Sequence, residues 1–169
     1  LAQERGAPIL AEVAGWGQSA DGHSMAMSHP EGAGLRLAMQ RALADAGVAP
    51  AEIDYVNAHA TSTPVGDRAE ALALRAVFAE AGARPRVSST KGLTGHPLSM
   101  AGAMEAAFCT LALAEGFIPG NAHLRNLAPV CEGLDLPRET LSVAPSLVLN
   151  SSSGFGGSNV CHVLRRWRA

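Results

Sequence analysis

Two segments of this chain place an imidazole where it could take part in chemistry. Asn57–Asp67 reads Asn-Ala-His-Ala-Thr-Ser-Thr-Pro-Val-Gly-Asp, and Lys91–His96 reads Lys-Gly-Leu-Thr-Gly-His. Each sets a histidine, His59 or His96, just after a β-branched run, among Gly, Ser and Thr, and directly before a helical stretch. Histidines held at the ends of adjacent strands suit a site that donates two hydrogen bonds to one developing anion. Neutral imidazoles with an N–H directed into a water-poor cleft would stabilise an enolate or an oxyanion. The hydroxyls of Thr61, Ser62, Thr63 and Thr94 lie close by in sequence and can contact an amide-rich or phosphate-bearing ligand without adding charge. The two histidines have neither i, i+4 spacing nor a paired carboxylate motif, so no metal site is expected.

Lys91 lies five residues before His96, and its neighbours Thr90, Gly92 and Thr94 are small, which leaves room for an inward ammonium held by a carboxylate. Otherwise it is a solvated surface lysine, the usual fate of that residue. Glu70 is a possible partner, although Asp67 and Glu70 also have capping-box spacing, which accounts for Glu70 without any site. None of the cysteines or serines sits in a convincing nucleophile setting. Cys109 and Cys161 fall among apolar residues, with no helix N-terminus or histidine to activate them, and are expected to be unreactive. Cys131 falls in a loop. The histidines therefore read as half of an active site.

The elements that must position these residues follow from periodicity. Ile9–Gly15 reads as a strand followed by a polar loop to Pro30. Leu35, Met39, Ala42, Leu43 and Ala46 recur at helical spacing, with Gly47 placed to end the helix. Ile53–Asn57 is a short strand delivering His59. Pro64 and Gly66 break the chain, and Asp67 caps a helix running to about Glu80. Arg86–Thr90 is the next strand. Pro97 then opens an Ala-rich helix to about Glu115. Leu141–Val143 and Ser146–Ser151 follow, and Gly154–Gly157 turns the last run back into Val160–Arg165 as an antiparallel hairpin. That order predicts one α/β domain, a layered sheet that is mainly parallel with an antiparallel edge.

Composition sets the outer bounds. With 169 residues, 47% hydrophobic and 17% charged, the chain can bury a substantial core. A formal charge of −2 argues against a nucleic-acid or membrane surface. No apolar stretch is read as reaching spanning length, and no signal segment is read. Three cysteines without CxxC spacing indicate a reduced, cytoplasmic protein. A first residue of Leu1 rather than methionine suggests a fragment or a processed product.

Asn57–Asp67, Ser88–Gly102 and Ser151–Asn159, in that order, resemble the β-ketoacyl-acyl-carrier-protein synthases, including the ketosynthase domains of polyketide synthases. The resemblance covers nearly the whole chain and corresponds to the C-terminal half of such an enzyme, a thiolase-like half with a layered mixed sheet and flanking helices. It implies a decarboxylative Claisen condensation of an acyl thioester with malonyl-acyl-carrier protein, in fatty acid or polyketide synthesis. The nucleophilic cysteine would belong to an N-terminal half, so this chain alone is expected to be inactive. His59 and His96 match the family histidines, Lys91 the lysine that orders the site, and Glu70 its carboxylate partner. Thr61 and Thr63 match hydroxyls that contact the phosphopantetheine arm. Phe155 matches the aromatic that gates the acyl pocket and whose N–H joins the oxyanion hole.

The implied partners are acyl carrier protein, the N-terminal half and a second copy in a homodimer, with no cofactor beyond the carrier's phosphopantetheine. Ala60 replaces a glycine common in the family, and Ser99 and Met100 replace small residues. Ser153 replaces an aromatic. If the helix after His96 packs tightly, Met100 needs extra space. A non-catalytic, chain-length-factor-like or carrier-binding module is the alternative.

Overall fold

The computed structural model describes residues 1–168. Five strands form one sheet: β1 (Ala11–Ala20), β2 (Tyr55–Asn57), β3 (Arg86–Ser88), β4 (Leu147–Gly154) and β5 (Ser158–Arg166), in the order β1-β5-β4-β2-β3. The pairs β4–β2 and β2–β3 are parallel, whereas β1–β5 and β5–β4 are antiparallel. The sheet is thus evenly mixed rather than mainly parallel. The cause is a non-local pairing: β5, second half of the expected hairpin, inserts between β4 and the N-terminal strand.

Alternation along the strands divides the core between two faces. Val56, Leu149, Cys161 and Val163 point to one face, where they pack with Leu35, Met39 and Leu43 of α1 (Ala33–Ala46) and Leu74 of α2 (Pro64–Leu74). Their neighbours Tyr55, Val148 and Leu164 point to the other face and meet Cys109 and Leu113 of α4 (Ala101–Glu115). The result is a three-layer α/β/α arrangement. Gly47 ends α1 in the left-handed conformation, as its sequence position predicts.

Several boundaries differ from the sequence reading. β1 continues past Gly15 to Ala20, through Trp16 and Gly17, which read as loop residues. Those glycines allow α1 to lie close on the strand: a Cβ at Gly17 would stand 2.2 Å from the Ala38 carbonyl oxygen and 2.5 Å from the Ala42 nitrogen. α2 starts at Pro64, three residues before the expected cap, because proline's fixed φ suits a first helical position. Its last turns pass into a π-helical stretch, Arg75–Ala79. Leu141–Val143 forms only an isolated bridge between Leu141 and Ile118. A short helix α3 (Lys91–Thr94) and a 3-10 turn, Leu98–Met100, precede α4, so Pro97 flanks the 3-10 turn instead of opening a long helix.

One segment, Leu98–Glu115, is 18 residues long with a mean hydropathy of 1.2, enough by length and composition to cross a membrane, contrary to the sequence reading. In the fold it lies on the sheet and carries the buried Glu105.

Replacing Gly17 with alanine forces backbone against backbone and is expected to cost about 1–3 kcal/mol. Gly154→Ala is the control, with extended φ and its nearest neighbour 4.0 Å from the added carbon. Chemical denaturation of both variants measures the difference. Equal stabilities would show that α1 does not need that close approach.

Candidate active site

β3, β2 and β4 run side by side in parallel, so their carboxyl ends share one pole of the sheet. Loops at that pole are where open α/β sheets place ligands. His59 lies two residues beyond the end of β2, and Lys91 three beyond the end of β3. His96 follows α3. The imidazoles of His59 and His96 meet edge to face, with centroids 5.3 Å apart and an interplanar angle of 86°. At that separation, hydrogen bonds of about 2.9 Å from both rings can reach one oxygen atom.

Burial pushes the His59 imidazole down to about 4, with the Lys91 ammonium and then His96 adding to the effect. His59 is therefore neutral around pH 7. A neutral imidazole donates one N–H without first losing a proton, which suits it to stabilise charge that appears during reaction.

Lys91 is buried, and its ammonium bonds Glu105 Oε1 on α4. Glu105, not Glu70, is thus the lysine's partner. Glu70 is engaged elsewhere: its two oxygens accept the backbone N–H groups of His59 (2.9 Å) and Ala60 (2.8 Å), and Oε1 also accepts the Ser151 hydroxyl at 2.9 Å. Asp67 accepts the N–H of Ser62 at 3.1 Å. Both acids sit inside α2 and reach back to the loop before it, so the expected capping box is replaced by carboxylates that bind the His59 loop. This anchoring supports unusual backbone, with φ of 20° at Ala60 and 66° at Ser62. A glycine would meet no penalty at either position.

Thr61 and Thr63 lie together on the same loop, their hydroxyl oxygens 3.2 Å apart. Phe155 stands on the β4–β5 turn at the same pole and is 81% exposed. That turn is tied to the loop after β1. Asp21 N–H donates to the Gly157 carbonyl at 2.8 Å, Gly156 N–H to the Met25 carbonyl at 2.8 Å, and Asn159 Nδ2 to Asp21 Oδ1 at 2.8 Å. Met100 is 56% exposed, so it crowds nothing within the described residues. Cys109 and Cys161 are fully buried, with burial pushing the first thiol up to about 12 and the second higher still. Neither is available as a nucleophile. Among the described residues no cluster of three or more His, Cys, Asp or Glu could hold a metal.

Glu105, Asp21 and Asn159 were not singled out by sequence reasoning. Glu105 had a detectable signal, since it is the single charged residue between Ala101 and Ala114. Several buried polar atoms nearby have no hydrogen-bond partner among the described residues: His59 Nδ1, Glu105 Oε2, both side-chain atoms of Asn57, and Asn150 Oδ1. Buried polar groups are ordinarily paired, so unused hydrogen-bonding capacity gathers around the site.

Residues 10–125 match the family model described as β-ketoacyl synthase, C-terminal domain. The mitochondrial 3-oxoacyl-[acyl-carrier-protein] synthase of Arabidopsis thaliana is 44% identical over 161 residues, covering 94% of this chain and 35% of that protein. The ishigamide ketosynthase/chain length factor superposes with a TM-score of 0.91 at 36% identity, covering 99% of this chain and 40% of that one. A type II polyketide synthase ketosynthase, solved in complex with its acyl-carrier protein, gives a TM-score of 0.93 at 29% identity, with 99% and 41% covered. The fold is that of half a thiolase-like condensing enzyme. The chain belongs to the β-ketoacyl synthase family and matches its C-terminal domain. It spans little more than a third of the length of the Arabidopsis relative.

Glu105→Ala leaves the Lys91 ammonium unpaired and is expected to cost about 3–5 kcal/mol, whereas the double variant Lys91→Met/Glu105→Leu recovers most of that loss. Urea unfolding checks both. If Glu105→Ala proves harmless, the pair does not organise the site.

His59 should remain neutral on NMR titration until pH approaches 4, and Lys91→Met should raise that midpoint. The unfolded chain protonates His59 near 6.5, so between about 6.5 and 4 it binds more protons than the folded chain. Stability relative to His59→Asn is therefore lost as pH falls through that window and is independent of this group above it. A midpoint near 6.5 would contradict the burial and charge assigned to the ring.

Proposed function

We propose that this chain supplies the carbonyl-activating half of a 3-oxoacyl-acyl-carrier-protein synthase. The observation that carries the reading is the convergence of His59 and His96, 5.3 Å apart, beside a buried ammonium. In this reading a malonyl thioester on phosphopantetheine enters past Thr61 and Thr63, and its thioester oxygen accepts hydrogen bonds from both imidazoles. The bond to the carboxylate breaks, carbon dioxide leaves, and the electron pair passes into the enolate that those hydrogen bonds stabilise. The enolate carbon then attacks an acyl thioester on a cysteine of the N-terminal half. A carbon–carbon bond forms, and the carbon–sulfur bond breaks to return the thiolate. The N–H of Phe155 contributes to the hole that holds the oxyanion of that second step, while its ring borders the acyl chain. The resident chemistry needs no cofactor.

α4 supports the involvement of a second half. Apolar residues cover it all round, and Ala103, Ala107, Leu111 and Ala114 face outward. A helix apolar on every side is ordinarily covered on every side, and the relatives have more than half their length beyond the matched region. Acyl carrier protein is the proposed carrier of both substrates, in the cytoplasm, with the whole protein acting as a homodimer.

A non-catalytic chain-length-factor role is the second reading, favoured by the likeness to a ketosynthase/chain length factor. The buried Lys91–Glu105 pair and both histidines weigh for catalysis, since a scaffold needs none of them.

Malonyl-carrier decarboxylation by the protein that bears this chain distinguishes the two. Turnover is expected, and His59→Ala or His96→Ala should each lower it about 10²–10³-fold, the effect of losing one oxyanion donor. Carrier binding without turnover would establish the scaffold reading. Turnover unchanged in both variants would remove the histidines from the mechanism.

A further inference from the structure

We propose that the cleft between α2 and the 121–136 segment binds an aliphatic monoanion, a hydrocarbon chain ending in a carboxylate. The cleft encloses about 760 Å³, within the range of roughly 300–1,000 Å³ found for sites that bury small molecules. It borders the loop after β2 through Ala60 and Thr63, but His59, Lys91 and His96 are not in its walls. Thr63 and Glu70 are shared with the carrier-arm route and the His59 anchor described above, but the ligand class is argued from the walls and rim and does not depend on the condensation assigned to the histidines.

The walls select the ligand's body. Ala71 and Leu74 of α2, Val87 of β3, and Leu127, Val130 and Leu134 opposite them are aliphatic. Among the described residues no aromatic side chain lines the cleft, so a flat ring has nothing to stack on, while each methylene withdrawn from water favours binding.

The rim selects the head group. Three charged side chains reach the lining: Glu70, Asp67 and Arg68. Glu70 is occupied by the N–H groups of His59 and Ala60 and the Ser151 hydroxyl, and Asp67 by the N–H of Ser62. Burial shifts both acids upward from their ordinary values, against the hydrogen bonds they accept. Asn121 is also fully engaged, with Ser89, Val87 and Pro137. Arg68 is exposed and takes part in none of the ion pairs formed among the described residues. Its planar fork matches a carboxylate in two parallel hydrogen bonds.

The cleft contains its own reporter. Cys131 lines it and is half-buried, whereas Cys109 and Cys161 lie in the core. In the protein that bears this chain, iodoacetamide labelling of Cys131 is followed by peptide mass spectrometry, with Cys109 and Cys161 as unlabelled internal controls. Decanoate should slow labelling at least tenfold, and decanol, with the same chain but no charge, only two- to threefold. Arg68→Gln should reduce decanoate's protection to that of decanol and leave the rate without ligand unchanged. Labelling of Cys131 unaffected by millimolar decanoate would overturn the site. Equal protection by decanoate and decanol, undiminished in Arg68→Gln, would overturn its selectivity for an anion.

Discussion

The site depends on an ammonium held out of water. Lys91 lies just past the end of β3, and a lysine buried there without a partner would lose its proton or open the fold. Glu105, in the middle of an apolar helix on the sheet's second face, prevents both outcomes. Their bond joins the strand end to α4 and fixes a positive charge beside His59. Together with burial, that charge keeps the His59 imidazole neutral. Placed in solvent, the same lysine would be screened and would exert little influence on the ring.

Around that charge the remaining contacts maintain geometry. Three parallel strands bring the loops after β2 and β3 and the turn after β4 to one pole. Glu70 grips the backbone of the His59 loop, Ser151 of β4 ties Glu70 to the sheet, and Asp67 supports Ser62 in a conformation few non-glycine residues adopt. Asp21 and Asn159 link the loop after β1 to the turn that bears Phe155. Each of these polar groups joins separate elements, so the loops are positioned by the sheet and helices rather than by their own local sequence. Such support is what preorganised electrostatic stabilisation requires.

Much of this was legible in the sequence, because the residues concerned report local physics. The helical recurrence of Leu35, Met39 and Leu43, the terminal Gly47, and the short apolar runs before His59 and Lys91 gave the order of elements. The two histidine segments pointed to the imidazoles that the fold brings together. What escaped was non-local. The resemblance assigned Glu70 to Lys91, yet the helix register turns Glu70 toward backbone amides and Glu105 toward the lysine. Gly15 and Gly17 weaken a strand by composition, and their use became apparent only with α1 packed against them. The insertion of β5 between β1 and β4 pairs residues more than a hundred positions apart, which no periodicity announces.

The most direct test of the account is a crystal structure of the protein that bears this chain with a non-decarboxylating malonyl thioester analogue. The account predicts that one ring nitrogen of His59 and one of His96 both lie within about 3.2 Å of the thioester carbonyl oxygen, with Lys91 still paired to Glu105. A bound analogue whose carbonyl oxygen meets only one imidazole, or neither, would contradict it.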